Sequence, residues 1–124
     1  MKKIYLLASF MLVLFTNEQT YAQHPVLKEV LLNTLNNVNE LDFSNAQIES
    51  LMNYNKGFVD KVYEILDSDK EDKAKKESLG TLNDQKEQEL RNLLGKSDAK
   101  KYIKLMEEQL KPLTKKDKLL KNIV

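Results

Sequence analysis

The sequence predicts an all-α fold. Apolar residues recur at intervals of three and four over long stretches, as they do on the inner face of amphipathic helices. The chain has three glycines and two prolines among 124 residues, so few positions interrupt a helix. Cysteine is absent, and therefore the packing of helices must stabilise the fold without disulfides. We expect an elongated helical hairpin with flanking helices, about four helices in all.

The first 22 residues have the pattern of a signal peptide. Met1–Lys3 is basic, Ile4–Phe15 is an almost unbroken apolar run, and Thr20-Tyr21-Ala22 is a small-x-small cleavage site. The run is shorter than the ~20 residues of a membrane span, so we expect cleavage between Ala22 and Gln23 and export to the periplasm or the medium. An uncleaved N-terminal anchor is the alternative. No cysteine follows the run, which argues against a lipoprotein.

The remaining chain divides into a helical domain, 23–112, and a basic amphipathic tail, 113–124. Removal of residues 1–22 takes away two lysines and one glutamate and leaves 18 basic and 18 acidic side chains. A neutral domain is not expected to bind nucleic acid. The tail alternates lysines with apolar residues. It could contact an anionic membrane or an acidic client, and the alternative is a tail that frays or packs its leucines on the helices.

Four helices are expected in the domain. Pro25 suits the first helical position of one helix, and Gly95 the left-handed position that ends another. Asp67-Ser68-Asp69 should separate the second and third helices, with Ser68 and Glu71 forming a capping box. The expected helices are 25–40, one from the cap at Ser44 to Leu66, 70–94, and one capped by Ser97 and closed by Pro112.

The start of the second helix carries a capping motif. The Ser44 hydroxyl at the N-cap can accept from the backbone N–H of Gln47, while the Gln47 side chain reaches back to the N–H of Ser44. Phe43 and Ile48 can then pack together as a hydrophobic staple. We interpret these four residues as a structural motif, with a binding epitope as the alternative.

Two further features of the helices have a structural and a functional interpretation. Gly57 lies inside the second helix, where glycine costs about 1 kcal/mol relative to alanine. It is either a tolerated packing glycine or a place where another backbone approaches. The charged start of the third helix has opposite charges four residues apart, such as Glu71 with Lys75. This spacing is typical of a solvent-exposed helix, with a binding surface as the alternative.

The residues needed for common enzyme chemistry are sparse. His24 is the single histidine and there is no cysteine, so neither a nucleophile with a histidine base nor a zinc site can be assembled. No acidic calcium loop and no glycine-rich phosphate loop occur. We expect a protein that is not an enzyme and binds no cofactor or metal.

The stretch Leu41–Gln47 resembles the LTXXQ motif of the Spy/CpxP-like family of periplasmic proteins, with Phe43, Ser44 and Gln47 at its three defining positions. A second copy in that family opens the last helix. The corresponding stretch here is Leu94–Asp98, with glycine at the threonine position and aspartate at the glutamine position. The resemblance covers about residues 41–110 in our assignment of helices.

This resemblance implies a bent helical hairpin that pairs as a cradle-shaped homodimer. It also implies a role in envelope stress, either as an ATP-independent chaperone for unfolded clients or through an envelope sensor. The alternative is a small structural or regulatory protein that binds one folded envelope partner through a seam formed by Leu27, Leu31 and Leu35.

Overall fold

The computed structural model describes residues 26–124 and contains only helices and their connections in that range. The helices are α1 (26–35), α2 (Asn45–Leu66), α3 (Asp72–Leu94), α4 (Lys96–Gln109), α5 (Lys111–Lys116) and a final 3-10 helix (Lys118–Ile123). No strand occurs in this part of the chain, so the all-α prediction is confirmed. The predicted signal peptide and the cleavage site at Ala22 and Gln23 lie outside the described residues.

Residues 31–124 form one compact unit, whereas residues 26–30 belong to another, Met1–Val30. The centre of the larger unit is α3, which packs against α2, α4 and the 3-10 helix. Its buried side chains include Leu79, Leu82 and Leu90, which recur at helical spacing. Within residues 26–124, no helix combines the length and the apolar character that crossing a bilayer requires.

α1 ends earlier than predicted. The helix stops at residue 35, and the N–H of Asn37 bonds to the carbonyl of Thr34 in a tight turn. Asparagine competes with the backbone for hydrogen bonds and is a poor helix former, which explains why the Asn-rich stretch after Leu35 does not continue the helix. The predicted end at residue 40 is therefore wrong. Val38 is nevertheless buried outside the helix.

The connection between α2 and α3 does not contain the predicted capping box. The Ser68 hydroxyl donates to the carbonyl of Ile65 at 2.7 Å, so it closes the end of α2. Glu71 is the N-cap of α3 and makes no side-chain cap bond, and α3 begins two residues later than predicted. The Lys75 ammonium donates to the carbonyl of Leu66 at 2.7 Å and so links α3 to the end of α2. The sequence predicted only a surface pair between Lys75 and Glu71.

Gly95 makes the sharp junction between α3 and α4. Its φ is +86°, a region that favours glycine, and its N–H bonds to the carbonyl of Arg91 at 3.0 Å. The ψ of 158° places it in the mirror image of extended backbone and not in the left-handed helical region. α4 begins at the next residue, so Ser97 lies inside the helix and the prediction that it is a cap was wrong.

The C-terminal segment is packed on the helices. α4 ends at Gln109, and Pro112 lies in the first turn of α5 and does not close α4. Leu113, Leu120 and Ile123 are all buried, so the leucine-docking alternative describes this segment. These apolar side chains of the tail therefore belong to the core, whereas its lysines are exposed.

Candidate functional site

The predicted capping box is present at the start of α2. The Ser44 Oγ accepts from the N–H of Gln47 at 3.1 Å, and the Gln47 Oε1 accepts from the N–H of Ser44 at 2.9 Å. Both residues lie near the surface, and each satisfies a backbone donor that the helix leaves unpaired. Phe43 and Ile48 are both half-buried, and their contact as a staple stays a prediction.

Gln47 also ties the start of α2 to the junction of α3 and α4. Its Nε2 donates to the Asp98 Oδ2 at 3.0 Å and to the Leu94 carbonyl at 3.3 Å. The oxygen of the side-chain amide thus accepts the hydrogen bond of the local cap, while its nitrogen donates to two residues about fifty positions later in the chain. The cap is predictable from the sequence, but this second role is not, because nothing in a local spacing indicates a distant acceptor.

A buried polar cluster joins the end of α1 to α2 and α4. The Asn55 Nδ2 lies 3.0–3.2 Å from three acceptors, which are the Leu35 carbonyl, the Asn36 Oδ1 and the Tyr102 hydroxyl. The Tyr102 hydroxyl donates to the same Leu35 carbonyl at 2.6 Å. Burial raises the pKa of Tyr102, and the bond from Asn55 partly opposes this rise. The cluster is therefore neutral and suits packing specificity better than proton transfer.

Lys86 is a charged side chain in the core, although lysine is rarely buried. Its Nζ donates to the Ile123 carbonyl at 2.6 Å and lies 5.3 Å from the centre of the Phe58 ring. Burial lowers the pKa of Lys86 to about 8, and the carboxylates of Glu87 and Glu107 oppose this shift. The side chain fastens the C-terminal segment to α3.

A surface cleft of about 210 Å³ lies between α2 and α3. The rings of Tyr54 and Phe58 stack along it with their centres 6.1 Å apart. Burial, and then the hydrogen-bonded Glu89 carboxylate, raise the pKa of Tyr54, so its hydroxyl stays protonated. The cleft is lined by aromatic, apolar, amide and charged residues: Asn53, Tyr54, Gly57, Phe58, Lys61, Leu82, Gln85 and Glu89.

A second surface cleft, of about 360 Å³, lies between α3 and α4. Three of the residues that line it are cationic, namely Arg91, Lys96 and Lys100, and the others are Glu87 and Ile103. The two clefts therefore share α3 as a wall, one on the side of α2 and one on the side of α4. Neither cleft is predicted from the sequence, because each is formed by residues from two helices.

The described part of the chain, 26–124, contains no group of three or more histidine, cysteine, aspartate or glutamate side chains arranged to hold a metal ion. The single histidine, His24, lies outside that part. The expectation that the protein is not an enzyme stays a prediction.

No family model, curated protein or solved structure matches this chain. The likeness to the Spy/CpxP-like family consequently remains a hypothesis based on the motif residues.

Proposed function

We propose that this chain is an exported helical interaction protein that binds one folded partner in the cell envelope. The observation that carries the proposal is the cleft between α2 and α3, with Gly57 in its wall. Export is inferred from the signal peptide pattern of residues 1–22. The partner is proposed to place one or two side chains in this cleft.

Gly57 has no packing function inside the protein. A Cβ built at this position meets no atom within 4 Å, so no internal neighbour requires the absence of a side chain. Glycine nevertheless costs about 1 kcal/mol relative to alanine inside a helix. Gly80 is equally open, but only Gly57 lies in the wall of the cleft, where glycine lets another chain approach the helix backbone closely.

The walls of the cleft suit a protein side chain. Tyr54 and Phe58 supply aromatic surface, and the amides of Asn53 and Gln85 supply donors and acceptors. Aromatic residues and well-defined pockets commonly carry most of the affinity at protein interfaces. A volume of about 210 Å³ is below the range of about 300–1,000 Å³ that is usual for small-molecule sites.

The exposed apolar surface favours one partner over many unfolded clients. In residues 26–124, the large apolar side chains that are exposed are Val26, Val30, Met52 and Val124. Capture of non-native chains requires a larger contiguous apolar surface. The seam expected to bind a partner is also unsuitable, because Leu31 and Leu35 are buried. We therefore place the partner at the cleft instead.

Chaperone activity of the Spy/CpxP-like kind is the second candidate function. The bond between Gln47 and Asp98 favours it, because these residues occupy the glutamine positions of the two motif copies inferred from sequence. A direct hydrogen bond between the two copies is consistent with a motif that occurs twice and acts as one structural unit. Suppression of aggregation of a reduced, unfolding client at stoichiometric ratios tests this candidate.

The deciding experiment compares Gly57→Gln with Gly80→Gln in cross-linking pull-downs from envelope extract. Both substitutions enter open space in a helix and should raise the melting temperature by a similar amount, since each removes a helical glycine. Gly80 does not line the cleft, so it is a matched control.

We expect one stoichiometric partner with the unmodified protein and Gly80→Gln, and loss of that partner with Gly57→Gln. Capture of many proteins, equally by all three forms, would refute the one-partner proposal and favour the chaperone. Retention of a single partner by Gly57→Gln would place the binding surface elsewhere.

A further inference from the structure

The cleft between α3 and α4 concentrates positive charge. Arg91, Lys96 and Lys100 line it together with one carboxylate, Glu87, which leaves a surplus of two positive charges. The whole chain has a formal net charge of only +1. We propose that this cleft binds an acidic segment of a protein partner. The inference goes beyond the proposed function and does not depend on occupation of the cleft beside Gly57.

The cations converge because of the geometry of the helix junction. Arg91 lies in the last turn of α3, whereas Lys96 and Lys100 lie in the first turns of α4. Gly95 joins the two helices without an intervening loop. Gln47 holds both sides of the junction through its bonds to Leu94 and Asp98. The backbone positions that carry the three cations are therefore fixed before any partner binds, although the exposed side chains keep their rotamer freedom.

The start of α4 is an unfavourable place for cations. Lys96 is the first residue of that helix, where the helix dipole favours negative charge and disfavours positive charge. The acidic residue of the first turn, Asp98, already accepts a hydrogen bond from Gln47. A carboxylate from another molecule would therefore relieve repulsion at this junction as well as form ion pairs with Arg91 and Lys100.

The composition of the cleft favours a peptide over a phosphate group. Glu87 repels a dense polyanion, but it can accept a hydrogen bond from a peptide N–H. Ile103 supplies apolar surface for a side chain that lies between two carboxylates. A volume of about 360 Å³ accommodates several side chains. We therefore expect a segment in which acidic and apolar residues alternate.

The test is a fluorescence anisotropy titration with a short labelled peptide in which aspartate and leucine alternate. A peptide with asparagine in place of aspartate is the neutral control. We expect the acidic peptide to bind and the neutral peptide to bind at least about tenfold more weakly, because a carboxylate pairs with each cation it reaches. Binding should weaken as the salt concentration is raised from about 0.1 M to about 1 M, because the Debye length falls from ~10 Å to ~3 Å over this interval.

The location is tested with two double variants of equal charge change. Arg91→Gln with Lys100→Gln removes two cations from the cleft, and Lys73→Gln with Lys76→Gln removes two exposed cations from the other end of α3. We expect the first pair to weaken binding about tenfold, because it removes the partners of two carboxylates, and the second pair to change it less than about twofold.

An equal effect of the two pairs would mean that the peptide responds to overall charge, and it would refute the site. Failure of the acidic peptide to bind, or equal binding of the neutral peptide, would also refute it. Inorganic phosphate and vesicles with anionic lipid are tested in parallel. Binding of either one without binding of the peptide would assign the cleft to a different ligand and overturn the proposal.

Discussion

Replacing Lys86 with methionine should remove a specific pH dependence from the stability of the protein. Lys86 has a pKa of about 8 in the folded chain, whereas the ordinary value is 10.5. Between these values, the unfolded chain holds a proton that the folded chain has released. The free energy of unfolding therefore rises with pH in this interval, and the gain is lost as the pH falls through 8.

The size of the effect follows from the width of the interval. Each pH unit in which only the unfolded chain holds the proton contributes about 1.36 kcal/mol. From pH 7 to pH 9.5, the unmodified protein should thus gain about 2 kcal/mol, most of it above pH 8, where half of the proton has left the folded chain. The measurement stops near pH 9.5, because burial raises the pKa of Tyr63 to about 12. Tyrosine ionisation in the unfolded chain lowers stability at higher pH.

Urea denaturation followed by circular dichroism measures this slope. Lys86→Met should show almost no rise between pH 7 and pH 9.5, and Lys101→Met, at an exposed position of α4, should keep the full rise. At pH 7, loss of the buried charge should raise the free energy of unfolding by about 3 kcal/mol. Loss of the donor to Ile123 should lower it by about 1–3 kcal/mol. The slope is the diagnostic quantity for this reason. A rise of the same size in Lys86→Met would refute the assignment to Lys86.

Two further substitutions test contacts that join the helices. Ser44→Ala removes the acceptor for the N–H of Gln47 and should lower the free energy of unfolding by about 0.5–2 kcal/mol, and an unchanged melting temperature would mean that the cap does not form. Tyr102→Phe removes the donor to Leu35 and should cost about 1–3 kcal/mol in urea denaturation, and a cost below about 0.5 kcal/mol would indicate that Asn55 alone satisfies that carbonyl.

The sequence predicts α2 well because the signals that define it are local. The cap at Ser44 depends on a residue three positions later, and the apolar positions from Leu51 to Leu66 follow the helical period. Both can be recognised without knowing the rest of the fold. The start at Asn45 and the end at Leu66 accordingly agree with the prediction.

The burial of Lys86 illustrates what a local pattern does not determine. Its spacing of four residues from Leu82 and from Leu90 places it on the buried side of α3. Its charge nevertheless predicted exposure, since lysine is rarely buried without a partner. The partners here are the Phe58 ring and the Ile123 carbonyl, which lie 28 and 37 positions away in the chain. A single sequence does not show that these groups meet.

The distant polar contacts share one physical function, which explains why the candidate sites were hard to predict. The last carbonyls of an α-helix have no acceptor role inside the helix, and they need donors from elsewhere. Within residues 26–124, three α-helices and the final 3-10 helix receive such a donor from a side chain of another helix: Leu35 from Asn55 and Tyr102, Leu66 from Lys75, Leu94 from Gln47, and Ile123 from Lys86.

These donors differ from the usual helix C-caps, which are read from residues next to the helix end. Each of them makes the end of one helix depend on the position of a second helix, so the helix boundaries and the packing are determined together. The same contacts hold α2, α3 and α4 in the register that forms the two clefts. The clefts are consequently properties of the assembled fold, and their residues carry no motif that a sequence pattern could identify.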